Sequence, residues 1–215
     1  MNIKTYFGNI FRRNTLTKYP GFFRPVSGIF LTGDSLRKNS DHIFDETQSV
    51  NPLKVRKNDK VFLRTDLKNL YFQSIHKKIK EPYILISHNS DMSVEDQDLE
   101  NVDEKILHWF TTCLNTNELK KVTPIPIGFE NRRFMTNGRL KNLKKFDKLF
   151  NKKNNYVLAS FNQHTNYPLR KKLLNQLKDN SEIKIVKYNN HLAYMDSLKD
   201  FKYSVCPEGN GLHTH

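Results

Sequence analysis

Residues suited to holding a diphosphate and moving a proton fall in three short stretches of this 215-residue chain. The first is Pro207-Glu208-Gly209-Asn210-Gly211, followed by Leu212-His213-Thr214-His215. Its glycines let the main chain approach a bound group, and Glu208, Asn210, Thr214 and His215 crowd hydrogen-bonding groups into one loop. The second, Phe161 to Asn166, contains Asn162, His164 and Thr165 and opens a helix that carries Arg170 in its first turn. Helix-start amides beside a guanidinium are a phosphate-binding combination. The third is His88-Asn89-Ser90-Asp91, with Glu130 further along. Asp91, His88 and Glu130 are candidate general bases, because a carboxylate or imidazole within hydrogen-bond reach accepts the proton of an attacking hydroxyl. Each has a plainer explanation as well: Asp91 suits a helix N-cap, Glu130 an ion pair with Arg132 or Arg133, and Arg170 an exposed helix position.

The glycine loop also carries a family resemblance. PEGNG followed by LHTH resembles the nucleotide-sugar motif of exostosin-like glycosyltransferases, and the likeness extends back through ILISHNSD, LHWF and PIPIGFENRR, from about Asp59 onward. In that family the motif continues with an arginine and a further helix, and His213 stands where aspartate is more common. The resemblance implies a GT-B-like α/β fold of two Rossmann-like halves with a cleft between them. It implies transfer of a sugar from a nucleotide-sugar donor to a glycan hydroxyl, inverting and without a metal. Helix-start chemistry gives donor contact to Asn162, His164, Thr165 and Arg170; the resemblance adds Glu208, Gly209, Asn210, Gly211, Thr214 and His215, and inverting transfer places the base in the N-terminal half.

Composition sets the outer limits. Thirty-six Lys and Arg against 22 Asp and Glu give a formal charge of +14, and 37% hydrophobic residues suffice for an ordinary core. Lysine is spread from end to end, so the charge reads as a solvated basic surface that helps recruit an anionic substrate; nucleic acid is not the expected partner. The two cysteines, Cys113 and Cys206, lie in apolar surroundings and read as buried, reduced thiols. No signal-peptide core or membrane-length run occurs, which predicts a soluble, cytoplasmic protein or one peripheral to a membrane surface.

The elements that position these residues follow from periodicity. Residues 1–26 read as an N-terminal arm, 27–153 as an acceptor-side Rossmann-like domain, and 154–215 as a partial nucleotide-sugar-binding domain beyond a polar hinge. Ser27 to Thr32 reads as a first strand, Asp41 to Lys60 as mostly loop, Val61 to Arg64 as a strand and Leu67 to Ile79 as a helix. Tyr83 to Ser87, apolar on both faces, is a central parallel strand. Asp103 to Leu114 reads as a helix, Val122 to Gly128 as extended because of its two prolines, and Asn137 to Lys153 as an amphipathic helix. After the hinge come strand Tyr156 to Ser160, helix Tyr167 to Leu177, strand Ile183 to Val186, helix His191 to Leu198 and strand Tyr203 to Cys206. Being shorter than a complete Rossmann-like half, of on the order of a hundred residues, this second half is expected to leave an apolar face open.

Several chemistries lack support. His213, His215, His164 and His191 show no spacing of a zinc site, and Asp96 and Asp98 lie in an acidic run that reads as solvated surface. No nucleophile elbow, Walker loop or dinucleotide fingerprint occurs, so no metal and no cofactor is expected beyond the donor substrate. Two other readings stand beside glycosyl transfer. One is a non-catalytic basic α/β module that binds nucleic acid or acidic polysaccharide; the other is an inactive glycosyltransferase fragment.

Overall fold

The structure, a computed structural model, describes residues 24, 28, 30–117, 120–134 and 154–209. The chain divides into two compact units, Met1–Arg139 and Leu140–His215. Both are mixed α/β, and every strand pairing among the described residues is parallel.

The first unit is built on a five-stranded parallel sheet of β1 (His42–Phe44), β2 (Lys60–Arg64), β3 (Tyr83–His88), β5 (Ile106–Thr111) and β7 (Val122–Pro124), in that order. The order follows the sequence, so each crossover steps the same way across the sheet. With the usual right-handed connections, such stepping carries the connecting segments to one face. That face holds Val61 and Leu63 of β2, Leu85 of β3 and Trp109 of β5, packed with Tyr71 and Phe72 of helix α2 (Lys68–Ser74). Phe72 meets Trp109 edge-on at 5.5 Å between ring centroids. A small two-stranded sheet, β4 (Val94–Glu95) with β6 (Leu114–Asn115), flanks the single-turn helix α3 (Asp96–Leu99) and adds Val94 to the same core. Burying side chains of this size stabilises by about 1.5–3 kcal/mol each, which is why alternate positions of β2 and β3 admit no solvent.

Polar groups within this core are paired. Trp109 Nε1 donates to Ser87 Oγ at 2.9 Å, and Ser87 Oγ donates to Thr111 Oγ1 at 2.6 Å. Lys68 Nζ reaches Asp98 Oδ2 at 2.5 Å, an ion pair closed off from water.

Two sequence expectations are corrected here. Asp103 to Leu114 is not a helix: Ile106–Thr111 is strand β5, pairing β3 on one side and β7 on the other. Its apolar residues Ile106, Phe110 and Leu114 are four apart, a spacing that both a helix and a strand place on one side. A register irregularity opposite Tyr83 and Ile84 then lets Ile106 and Trp109, three apart, both be buried. Residues 30–32 form no strand; Thr32 instead caps helix α1 (Gly33–Lys38). Thr32 Oγ1 accepts from the Ser35 amide at 3.0 Å while Ser35 Oγ accepts from the Thr32 amide at 2.9 Å, a reciprocal cap. The edge strand β1 lies within the segment expected as loop. The helix expected over Asn137 to Lys153 lies outside the described residues.

The second unit is a three-stranded parallel sheet in the order β10 (Phe201–Val205), β8 (Asn154–Ala159), β9 (Ile183–Ile185), with helices α4 (Tyr167–Leu177) and α5 (His191–Ser197) as the crossovers. All five elements were expected from the sequence to within a few residues. Only Leu158 and Ala159 of this sheet are buried, and Tyr156, Ile185 and Tyr203 are exposed. Cys206 is exposed too, against the expectation of two buried thiols, whereas Cys113 is buried; both are unbridged.

Candidate functional site

In the second unit the strand order reverses. The chain steps from β8 to β9 on one side, then returns by α5 to place β10 on the other side of β8. The two loops that leave the carboxyl ends of β8 and β10 therefore diverge from neighbouring strands, and a crevice opens where such a reversal occurs. Those loops are Ser160 to Asn166 and Cys206 to Gly209, which the sequence marks for ligand contact.

One side chain joins them. Arg170 is buried in the first turn of α4, and its Nε donates to the Glu208 carbonyl at 2.7 Å and its Nη2 to the Pro207 carbonyl at 2.9 Å. Its Nη1 donates to the Asn162 carbonyl at 2.7 Å and to Thr165 Oγ1 at 2.6 Å. A guanidinium has five N–H donors, and four are directed at protein oxygens. The sequence expected Arg170 to hold phosphate, whereas its charge is used to fix the two loops at one spacing. The guanidinium also lies 5.8 Å from the Phe161 ring centroid, so that ring packs on the clamp.

Around the clamp, the loop shapes itself. Asn162 Oδ1 accepts from the His164 amide at 3.0 Å, and Asn166 enters α4 in the left-handed region at φ 50°. Asn162, His164 and the Glu208 side chain are exposed, Thr165 and Gly209 partly so. Asn162, Thr165, Arg170 and Glu208 are thus brought together, with His164 and Gly209 on the same two loops. Asn210, Gly211, Thr214 and His215 lie outside the described residues.

In the first unit, the carboxyl edge of the sheet joins three segments through side chains that the sequence reading passed over. The Asp34 amide donates to Asn131 Oδ1 at 2.7 Å, Asn131 Nδ2 to Asn89 Oδ1 at 2.8 Å, and Asn89 Nδ2 to Asp34 Oδ1 at 3.3 Å. This triangle ties the start of α1 to the loop after β3 and the loop after β7. Asn89 takes φ 62° to make its contacts, a conformation asparagine tolerates better than most residues. Of the neighbours chosen from the sequence, Asp91 and Glu130 are not members of the triangle, whereas His88 borders it, with Nδ1 3.3 Å from Asn89 Oδ1. Asp91 is exposed on the loop after β3, and α3 is capped by Glu95, so Asp91 is not an N-cap. Glu130 is partly exposed beside Asn131. His88 is buried; its Nδ1 accepts from the Asn89 amide at 2.7 Å, which places the proton on Nε2, 3.1 Å from the Ile127 carbonyl. Through these contacts His88 joins the loop after β3 to the segment after β7.

Asp34 is also the centre of a buried ionic cluster. Arg133 Nε lies 3.2 Å from its Oδ2 and Arg24 Nη1 3.6 Å from its Oδ1, yet complete burial raises its carboxyl above the usual range despite these cations. Beside it, burial alone would raise Asp45, but hydrogen bonds from Arg37 and Thr47 outweigh it and the carboxyl titrates low. Among the described residues, no group of three or more His, Cys, Asp or Glu is placed to hold a metal ion, and no helix is long and apolar enough to cross a membrane. Neither a protein-family model nor a curated protein matches the chain.

Proposed function

We propose that the chain is a glycosyltransferase that binds a nucleotide-sugar donor on the loops of its second unit and transfers the sugar to a glycan hydroxyl. The observation that carries this reading is the Arg170 clamp, which holds the Asn162 to Thr165 loop against the Pro207-Glu208 loop at the reversal between β8 and β10. Open parallel sheets bind nucleotides at such points, through loop amides and short polar side chains. The likeness of PEGNG and LHTH to the exostosin-like donor motif supports the same assignment.

In the transfer, the acceptor oxygen attacks the anomeric carbon as the bond to the diphosphate oxygen breaks. The nucleoside diphosphate leaves, and the hydroxyl proton passes to a general base. Asp91, whose carboxylate reaches solvent, is our assignment for that base, with Glu130 the alternative.

The test is a thermal-shift panel of uridine and guanosine diphosphates and their sugars. A ligand bound to the folded chain raises its unfolding midpoint by mass action. One nucleotide should stabilise selectively and with little dependence on salt, and Asp91→Asn should keep that shift while losing transfer. Stabilisation by any polyanion, falling steeply with ionic strength, would instead favour the non-catalytic basic module.

A further inference from the structure

In the first unit, three guanidinium groups converge on one carboxylate at the carboxyl edge of the five-stranded sheet. Glu46 lies in the loop that follows β1; Arg24 Nη2 contacts its Oε1, Arg64 Nη1 lies 3.1 Å from its Oε2, and Arg133 Nη1 lies 3.7 Å from its Oε1. The arginines come from separate places: Arg24 precedes α1, Arg64 ends β2, and Arg133 sits in the 3-10 turn Arg132–Phe134 after β7. Asp34 and Asp45 balance part of the charge from behind, and Asp66 pairs with Arg64 at the exposed side.

Two features set the Glu46 contact apart from a static internal ion pair. The first is access: the Glu46 and Arg64 side chains keep 27% and 33% of their exposure, whereas Asp34 and Asp45 keep 0% and 1%. Glu46 therefore stands at the mouth of the cluster and the aspartates form its floor. The second is incomplete hydrogen bonding, which also affects Asp34 Oδ2 and Asp66 Oδ1. Arg24 Nε and Arg64 Nε are buried with no hydrogen-bond partner among the described residues, although a buried donor without an acceptor costs about 1–3 kcal/mol.

We propose that Arg24, Arg64 and Arg133 form a phosphate-binding site in which the Glu46 carboxylate is a built-in stand-in for the ligand. A phosphate group presents three oxygens and up to two charges, which suit guanidinium forks better than a single carboxylate does. The loop bearing Glu46 swings outward when phosphate enters, and the aspartate floor stays in place. Because the site is open only in the fraction of molecules with Glu46 displaced, Glu46 weakens the apparent affinity by that fraction. This site is independent of the donor loops, and either reading survives failure of the other.

The experiment compares thermal unfolding of the full chain in inorganic phosphate and in sodium chloride at matched ionic strength. Glu46→Ala should show a phosphate-specific rise in midpoint several-fold larger than the wild type's, and adding Arg64→Ala should remove it. Glu46→Gln, which keeps the side chain's shape, gives the same readout should the alanine variant fold poorly. Glucose 6-phosphate serves as a second probe: a larger shift than inorganic phosphate assigns the site to a phosphorylated sugar, and an equal shift to the phosphate group itself. Glu46 variants no more responsive to phosphate than the wild type would overturn the proposal.

Discussion

Gly33 and Asn89 approach so closely that a Cβ placed on Gly33 would stand 1.8 Å from Asn89 Oδ1 and 2.5 Å from His88 Nδ1. Helix α1 and the loop after the central strand therefore fit only because position 33 has no side chain. Asn89 cannot yield, since its amide group joins Asp34 to Asn131. Gly33→Ala should cost at least the 1–3 kcal/mol typical of overpacking, about, lowering the urea midpoint while leaving the m-value unchanged. An alanine variant as stable as the wild type would mean that the Asp34, Asn89 and Asn131 triangle is not rigid.

The central core makes a sharper demand of Ser87. Its hydroxyl accepts from Trp109 and donates to Thr111, so one small side chain satisfies a buried indole and a buried threonine. Ser87→Ala removes few atoms yet strands the Trp109 N–H, and the expected loss is about 1–3 kcal/mol. Equilibrium unfolding followed by tryptophan fluorescence measures it directly, since Trp109 is the only tryptophan. A change too small to resolve would show that the indole finds another acceptor.

Acid should weaken the first unit through His76. Its Nδ1 lies 2.7 Å from Tyr83 Oη, which also receives the Tyr71 hydroxyl at 2.8 Å. Burial lowers the imidazole's affinity for a proton by more than Asp103, 3.2 Å from Nε2, restores. The folded pKa lies below the unfolded value of about 6.5, so the folded state favours neutral imidazole. The corresponding stability is complete above that value and is lost as pH falls through the folded pKa. The unfolding midpoint should therefore drop as pH falls below about 6.5, and His76→Gln should flatten that slope. An unchanged slope in the variant would place the acid sensitivity elsewhere.

The alternation of strands and helices was legible because YILIS is a short run, apolar on both faces and introduced by Pro82, and the 167–177 helix opens with Pro168 near its first turn. The misread strand shows the limit. At Ile106 and Phe110 the four-residue spacing satisfies both periods, and only pairing with β3 and β7 decides between them. The Thr32 and Ser35 cap was visible as T-G-D-S, although the apolar run before it suggested a strand. In the second unit, the two loops were singled out by their residue types together with the resemblance that the glycine loop carries. In the first, His88, Asp91 and Glu130 stand out in the sequence as possible bases, whereas the structure joins Asn89 and Asn131, with His88 beside them. An asparagine that fixes a loop by accepting and donating at once has no signature in one sequence. The Glu46 cluster was hidden for a different reason: its arginines lie at positions 24, 64 and 133, and only the folded sheet edge brings them together.

Arg170 offers the clearest separation of charge from geometry. Lysine at this position keeps the positive charge but cannot serve Pro207, Glu208, Asn162 and Thr165 together, because an ammonium is a point donor without the planar fork. If the charge alone mattered, as for a long-range pull on a diphosphate, Arg170→Lys would retain nucleotide binding. The clamp predicts otherwise. Hydrogen bonds to a charged group are worth about 1.5–3 kcal/mol each, and their loss should free the loop after β10 from the loop after β8. Amide exchange at Glu208 and Gly209 should accelerate in Arg170→Lys while Leu158 and Ala159, in the buried end of β8, remain protected. Nucleotide-dependent stabilisation should fall by at least tenfold in affinity, the equivalent of about 1.4 kcal/mol. Exchange that rises equally in β8 would mean that the variant unfolds the whole unit, and unchanged exchange at Glu208 would show that the two loops hold their spacing without the arginine.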